Sequence, residues 1–117
     1  HRIICAQDYS AVTAACMMVK KEAFEKVGGL SEDLAVAFND IDFCLKVRKK
    51  GYLIVFSPYV EMYHYESKSR GKDDTKEKSA RFESEIKTFH NKWGLWIRDP
   101  YYNDNLTLDK EDFSLRI

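Results

Sequence analysis

The clearest candidates for chemistry in this chain form a short acidic cluster, Asn39-Asp40-Ile41-Asp42. A carboxylate can act as a general base when it lies beside a substrate hydroxyl. The cluster also precedes a pattern of helical spacing, so its side chains can equally cap that helix and complement its dipole. Because Asp40 and Asp42 are two residues apart, they do not share a helix face. We therefore expect at most one of them to be catalytic.

A second candidate is His64, which stands between Tyr63 and Tyr65. An imidazole at the end of a strand can ligate a metal ion or contact a phosphate. A histidine among aromatic residues can equally be a hydrogen-bonded structural residue. The sequence places no second ligand nearby at zinc-site spacing, which argues against a closed structural zinc site.

A third candidate is the polar segment 67–71, which contains Ser69, Arg70 and Gly71. Two cations, two hydroxyls and a glycine could form a loop that closes over a diphosphate, with Arg70 donating two parallel hydrogen bonds. Short polar loops of this composition are also ordinary solvated surface. Each of the three signals is weak when it is taken alone.

The elements that would position these residues alternate between apolar runs and amphipathic segments. We predict strands buried on both faces at 11–19 and 52–56, and a strand end or edge at 60–65. We predict helices at 20–27, closed by Gly28-Gly29, and at 40–50, capped by Asn39 and closed by Gly51. Helical spacing places four residues on one face of the second helix: Ile41, Cys44, Leu45 and Arg48. The intervening residues 30–38 are predicted to form a loop.

The longest predicted helix begins at Asp74 or Thr75 and runs to residue 93. Its buried stripe follows helical spacing and consists of Phe82, Ile86, Phe89 and Trp93. Residues 94–117 are predicted to wrap the surface as a tail. Two or three strands this apolar make a thin sheet, since such strands need cover on both faces and neighbours on both edges. The pattern therefore indicates a mixed α/β layer that belongs to a larger domain.

Composition bounds the class of protein. The 117 residues are 44% hydrophobic and 14% aromatic, with 19 basic and 19 acidic side chains, which excludes intrinsic disorder and gives no global attraction to nucleic acid or an anionic membrane. No apolar run approaches the roughly 18 residues of a membrane-spanning helix. Cys5, Cys16 and Cys44 include no CxxC pair. We expect Cys16 and Cys44 to be buried thiols and the protein to be cytoplasmic.

Taken in order and spacing, residues 10–71 resemble the C-terminal half of the catalytic domain of GT-A-type family 2 glycosyltransferases, in particular the rhamnosyltransferase-like enzymes of bacterial surface polysaccharides. The segments Asp99-Pro100-Tyr101-Tyr102-Asn103 and Leu106-Thr107-Leu108 are also similar to chain ends in this group. The resemblance implies the C-terminal part of a GT-A-like, three-layer α/β domain for nucleotide-diphospho-sugars, with few strands and a long final helix. Residues 1–117 would then be one partial domain.

The resemblance also implies roles for individual residues. Asp40 matches the catalytic base of the ED-x-D motif, although Asn39 stands where the family has glutamate. Residues 11–16 match a strand leading to the acceptor side, with Asn39 and Asp42 beside that site. His64 matches a histidine that completes metal coordination in several GT-A enzymes. Ser69 and Arg70 match a mobile loop near the diphosphate and the acceptor.

The activity implied is inverting transfer of a hexosyl or rhamnosyl group from a nucleotide-diphospho-sugar to a saccharide or lipid-linked acceptor, with Mg²⁺ or Mn²⁺ as cofactor. No DxD motif precedes the matched stretch, so we expect the nucleotide-binding half to be absent from this chain. Alone, the chain should be inactive and should self-associate through its sheet edge. The expected location is the cytoplasm, including the inner face of the membrane.

Two other functions stay open at this point. The chain could be a non-catalytic module that binds carbohydrate, in which the aromatic side chains stack on sugars and Asp40 only caps a helix. The aromatic residues concerned are Tyr63, Tyr65, Trp93 and Trp96. It could also be an assembly domain whose apolar sheet forms an obligate interface. Substituting Asp40 distinguishes the carbohydrate-binding module from an enzyme, because only the enzyme depends on Asp40 for activity.

Overall fold

The computed structural model describes residues 4–65, 76–94, 99–110 and 112–116. Its regular elements are β1 (Gln7–Asp8), a 3₁₀ turn at Ala14–Cys16, α1 (Lys21–Lys26), a 3₁₀ turn at Glu32–Leu34, α2 (Asn39–Lys49), β2 (Val55–Phe56) and α3 (Lys76–Trp93). The arrangement is a mixture of helices and one small sheet, as the sequence predicts, with helices dominating. Across these ranges, no helix is both long and apolar enough to cross a membrane.

Helix α1 ends where two consecutive glycines take up left-handed backbone conformations. Gly28 and Gly29 have φ angles of +77° and +69°, and the Gly29 N–H donates to the carbonyl of Phe24 at 3.0 Å. A Cβ on Gly29 would lie 3.0 Å from the Phe24 ring. Glycine is therefore required there for its backbone conformation and for the close approach of the ring, and the predicted end of this helix is confirmed.

Helix α2 begins one residue earlier than the sequence predicts. Phe38, and not Asn39, is the N-cap; its backbone is left-handed with a φ of 62°, and its side chain makes no capping hydrogen bond. The Phe38 carbonyl accepts the N–H of Asp42 at 2.8 Å. At the other end, Gly51 has a φ of +84° and closes the helix as predicted.

The buried face of α2 overlaps only partly with the predicted one. Its buried apolar residues are Phe43, Cys44, Leu45 and Val47. Ile41 and Arg48, which the sequence also placed on this face, are half-buried. Phe43 meets Phe24 of α1 with 5.5 Å between ring centroids, so this face joins the first two helices.

The sheet has two short antiparallel strands. Gln7 pairs with Phe56 and Asp8 with Val55, and the Tyr9 N–H extends the ladder by donating to the Ile54 carbonyl at 2.9 Å. Ile54 is buried, whereas Val55 is 58% exposed. The expectation of a strand covered on both faces at 52–56 is therefore wrong: the strand is shorter and only one face is covered.

The strand predicted at 11–19 does not form. Residues Ala14–Cys16 form a 3₁₀ turn instead. The N–H of Ala15 donates to Thr13 Oγ1 at 3.3 Å. Met18 is 99% exposed. A strand needs a neighbour to satisfy its ladder, and none of the described strands pairs with this run. The edge predicted at 60–65 is likewise irregular and exposed.

The cysteine expectation is half right. Cys44 is buried, and Cys16, which lies on the 11–19 run, is exposed. The Cys16 thiol donates to the Met62 sulfur at 3.0 Å. The exposure of Cys16 follows from the missing strand, because a run without a paired neighbour has no sheet face to bury.

Helix α3 spans Lys76–Trp93 and agrees with the predicted long helix; the predicted capping residues Asp74 and Thr75 lie outside the described residues. Trp93 is buried, but Phe82 is 46% exposed. The helix packs against the Glu32–Leu34 turn, whose Leu34 is completely buried. The predicted stripe is therefore buried most completely at its C-terminal end.

The core lies among the three helices, and apolar side chains after α2 remain uncovered. The buried apolar residues are Ala23, Leu34, Phe43, Cys44, Leu45, Val47, Ile54 and Trp93. Among the exposed apolar residues, those between positions 53 and 65 are called the 53–65 surface here: Leu53, Val55, Tyr59, Val60, Met62, Tyr63 and Tyr65. The radius of gyration of 15.8 Å exceeds the roughly 13 Å of a compact domain of this length.

The described part of the tail consists of turns joined by one isolated antiparallel bridge, Leu106 to Leu115. The Tyr102 hydroxyl donates to the Thr107 carbonyl at 2.8 Å. The tail reaches the beginning of the chain through a hydrogen bond from Ser10 to the Asp99 carboxylate. This bond joins the start of the tail to the segment that follows β1.

Candidate functional site

Asp40 lies in the first turn of α2, half-buried beside the Ala14–Cys16 turn. One carboxylate oxygen accepts the N–H of Ala14 at 3.3 Å, and the other accepts the N–H of Ile41 at 2.9 Å. An ionised carboxylate has about four acceptor positions. The two backbone donors fix the side chain and leave acceptor positions for a proton from a substrate hydroxyl.

Asp42 has a different environment one half-turn later in the helix, because it is 0% exposed. Trp93 Nε1 and Ser31 Oγ donate to its oxygens at 2.8 and 2.6 Å. Lys92 Nζ lies 2.8 Å and Lys46 Nζ 3.5 Å from them. The expectation that Asp40 and Asp42 point to different sides is confirmed. Direct contact of Asp42 with a substrate would require this network to open.

The network keeps Asp42 ionised. Burial alone would raise the pKa of this carboxyl, but hydrogen bonds from Lys92, Ser31 and Trp93 outweigh burial and hold its pKa below the ordinary value of 3.8. A buried carboxylate with two cations and two neutral donors has its charge compensated and its lone pairs satisfied. Asp42 thus joins α2 to the end of α3.

Glu85 of α3 is a buried acid that the sequence analysis missed. It is 6% exposed, and its two oxygens accept the N–H groups of Val36 and Ala37 at 3.1 and 2.8 Å. A signal was present in the sequence, because Glu85 lies three residues after Phe82 and four before Phe89 on the same helical face. A charged residue within an apolar stripe requires partners, and here the partners are backbone amides.

Phe38 lies between these two anchored carboxylates. Its ring stacks on Phe82 and Phe89 of α3, with centroid distances of 5.6 and 5.3 Å. The segment 36–42 therefore contacts α3 through Glu85, through the Phe38 ring and through Asp42. This segment carries both Asn39, which is half-buried, and Asp40.

His64 lies on the exposed, irregular stretch after β2, between Tyr63 and Tyr65, whose rings stack at 6.5 Å. The contact from Cys16 to Met62 brings this stretch against the same 3₁₀ turn that contacts Asp40. Over the ranges that the structure describes, no group of three His, Cys, Asp or Glu side chains could hold a metal ion.

Two predicted loop residues, Ser69 and Arg70, lie outside the described residues, as does Trp96. Trp93 is buried and donates to Asp42. The idea that Trp93 stacks on a sugar is therefore wrong, because its indole is used to complete the Asp42 network.

A polar cleft of about 510 Å³ lies beside the second half of α2, lined by Arg48, Asp99, Pro100, Tyr102, Asn103 and Asp104. Arg48 lies over the Tyr101 ring, 5.7 Å from its centroid. At 1.5 Å rise per residue, Arg48 is about 12 Å along the helix from Asp40. The cleft is open and predominantly polar, unlike most small-molecule pockets.

Curated proteins similar to this chain are all longer than it is. An uncharacterized protein of Sinorhizobium fredii, y4gI, is 53% identical over 116 residues, which are 97% of this chain and 13% of that protein. The O-antigen biosynthesis protein RfbC of Myxococcus xanthus is 31% identical over 113 residues, 94% of this chain and 8% of that protein.

An N-acetylglucosaminyl-diphospho-decaprenol L-rhamnosyltransferase of Mycobacterium tuberculosis is 28% identical over 89 residues, 76% of this chain and 29% of that enzyme. The chain thus spans less than a third of the length of each of these relatives. No sequence-family profile matches it, and no solved structure matches it either.

Proposed function

We propose that this chain is the acceptor-side part of a family 2 glycosyltransferase of GT-A fold that builds a bacterial surface or cell-wall polysaccharide. The similarity to a rhamnosyltransferase and to an O-antigen biosynthesis protein supports this class of activity. The observation that carries the proposal is the hydrogen bonding and exposure of the Asp40 carboxylate. Its carboxylate is fixed by two backbone N–H groups and is still half-exposed, beside a turn of small residues.

In the proposed reaction, Asp40 is the general base of an inverting transfer. The acceptor hydroxyl oxygen forms a bond with the anomeric carbon while the bond from that carbon to the diphosphate breaks. The hydroxyl proton passes to a carboxylate oxygen of Asp40, and the electron pair of the broken bond leaves with the nucleoside diphosphate. The N–H groups of Ala14 and Ile41 keep the carboxylate in one orientation while the proton moves.

Three further residues belong to the proposed site. Ser69 and Arg70 would contact the diphosphate, and His64 would contribute one ligand to Mg²⁺ or Mn²⁺. The described residues do not by themselves supply a complete ligand set for a cation. In the complete protein that carries this segment, His64→Ala should raise the Mn²⁺ concentration needed for half-maximal turnover. An unchanged metal dependence removes His64 from the site.

The proposed substrates are a nucleotide-diphospho-sugar and a saccharide or lipid-linked acceptor. Because the chain spans only 8% to 29% of the named relatives, donor binding is assigned to residues outside it. A lipid-linked acceptor would place the reaction at the cytoplasmic face of the membrane. The chain by itself is proposed to be inactive.

The test is Asp40→Asn in the complete protein. This change keeps the size of the side chain and removes its basicity, so turnover should fall by about 10²–10⁴-fold while donor affinity, measured by calorimetry, is unchanged. Asp33→Asn is the matched control, since Asp33 is an exposed acid on the Glu32–Leu34 turn. Full activity of the Asp40→Asn protein would rule out Asp40 as the base.

A non-catalytic carbohydrate-binding role is the second candidate, and the exposed tyrosine pair favours it. Tyr63 is 91% exposed and stacks on Tyr65, which suits stacking on a sugar ring. This role predicts that Tyr63→Ala weakens saccharide binding and that Asp40→Asn changes neither binding nor any activity of the complete protein. Loss of turnover in the Asp40→Asn protein decides against it.

A further inference from the structure

We propose that Glu85 is a positioning residue for Asp40, holding the turn that carries it from a neighbouring helix. This inference rests on the proposed function, because it assigns a role to Glu85 only if Asp40 acts on a substrate. Glu85 lies in α3, accepts the N–H groups of Val36 and Ala37 at 3.1 and 2.8 Å, and is 6% exposed.

The backbone just before Asp40 adopts a left-handed conformation. Phe38 has a φ of 62°, a conformation that costs a residue with a Cβ about 1–2 kcal/mol. Such a conformation persists when the surroundings impose it. Glu85 fixes the two amides on one side of Phe38, and the Phe38 carbonyl accepts the Asp42 N–H at 2.8 Å on the other.

A second attachment to α3 lies on the other side of Asp40. Asp42 is tied to Trp93 and Lys92 at the end of α3. Glu85 and Trp93 are eight residues apart, or about 12 Å along the helix. The turn that contains Asp40 is thus held to α3 at two separated points, which opposes both its translation and its rotation.

The position of Asp40 determines how fast it can accept a proton from the acceptor. A displacement of about 1 Å in a reacting group can cost on the order of 10²-fold in rate. Without Glu85, the amides of Val36 and Ala37 would lose their acceptors and the left-handed turn would lose one of its supports. We therefore expect Glu85 to act on turnover through the orientation of Asp40, without contact with the substrate.

The experiment uses the complete protein with Glu85→Ala and Glu85→Gln, assayed at a temperature where circular dichroism shows each variant folded. Glu85→Ala should lower kcat by about 10–100-fold and leave donor affinity unchanged. Glu85→Gln keeps one carbonyl acceptor, so it should restore part of the lost kcat. The control is Glu83→Ala, an exposed acid on the same helix, which should leave kcat unchanged.

A double-mutant cycle separates positioning from a merely structural role. If Glu85 acts through Asp40, adding Glu85→Gln to Asp40→Asn should slow turnover no further. Additive losses, or a folded Glu85→Ala protein as active as Glu83→Ala, would overturn the inference. Full activity of Asp40→Asn would instead overturn the proposed function itself. Should Glu85→Ala fail to fold, the cycle with Glu85→Gln decides the question.

Discussion

Two regions of this molecule treat their side chains in opposite ways. Where α2 meets α3, charged groups are buried and each is paired: Asp42 with Lys92, Trp93 and Ser31, and Glu85 with two backbone amides. No buried side-chain nitrogen or oxygen in the described part of the chain lacks a hydrogen bond. On the 53–65 surface, by contrast, large apolar side chains face solvent.

The difference shows that charged residues are buried here where hydrogen-bond partners surround them, and that apolar residues without a covering element stay exposed. Helix α3 is rich in charged side chains, and its buried acid Glu85 and its Trp93 both have hydrogen-bond partners in other segments. The apolar residues of the 53–65 surface are next to a two-stranded sheet that can cover only one face. Apolar side chains are therefore covered mainly in the helical region, whereas those of the 53–65 surface stay exposed.

Among the changes to charged residues, the largest effect should come from removing Asp42, the acid at the centre of the helical region. Asp42→Ala leaves the Trp93 and Ser31 donors without an acceptor and two lysines without their counter-ion, so we expect a loss of about 3 kcal/mol. Urea unfolding followed by tryptophan fluorescence measures it. Glu25→Ala, which removes only an exposed pair with Lys21, should cost under about 0.5 kcal/mol. Equal losses would erase the contrast.

Acid should weaken the same region next. The pKa of Asp42 is lower in the folded protein than its ordinary value of 3.8. A group of this kind stabilises the fold above its unfolded pKa, and that stability is lost as pH falls through the folded pKa. Unfolding free energy should therefore fall below about pH 4 and fall less steeply in Asp42→Asn. Asp33→Asn, at an exposed acid on the Glu32–Leu34 turn, should keep the wild-type profile.

The reactivity of the three thiols should distinguish the buried part of the molecule from the exposed part without any substitution. Burial raises the pKa of the Cys44 thiol, whose S–H donates to the Val12 carbonyl, whereas Cys5 and Cys16 are exposed. At pH 8, Ellman's reagent should label two thiols quickly and Cys44 on the order of 100-fold more slowly. Fast labelling of all three thiols would show that the helical region opens readily.

The smallest effect is expected on the 53–65 surface. Leu53 is 65% exposed, so Leu53→Lys should change the free energy of unfolding by no more than about 0.5 kcal/mol. It should also weaken the self-association that we expect of the chain, as measured by sedimentation velocity. The matched change Leu45→Lys, at a buried position, should unfold the protein. A loss above about 2 kcal/mol from Leu53→Lys would mean that this surface is packed in solution.

The sequence predicted the elements that depend on local chemistry. The end of α1 at Gly28 and the long helix before Gly94 follow from side-chain spacing and from glycine's access to left-handed backbone. The placement of Asp40 and Asp42 on different sides of α2 follows from helix geometry alone. Each of these features depends on residues that lie within about one helical turn of it in the sequence.

What could not be predicted depends on partners far along the chain. The run at 11–19 has the composition of a buried strand, but a strand forms only where a neighbour completes its ladder. The N-cap of α2, Phe38, stacks on two aromatic rings of α3, and Glu85 of that helix accepts the two amides before it. A capping scale favours Asn39 at that position because it contains no such tertiary terms.

The spacing of the contacts between the 36–42 turn and α3 also has a consequence for synthesis. Glu85 follows Ala37 by 48 residues, and Trp93 follows Asp42 by 51. At about 5–20 residues per second, the acidic turn leaves the ribosome roughly 2–10 s before the helix that fixes it. A translation product that stops before residue 85 would therefore carry Asp40 without the supports that orient it.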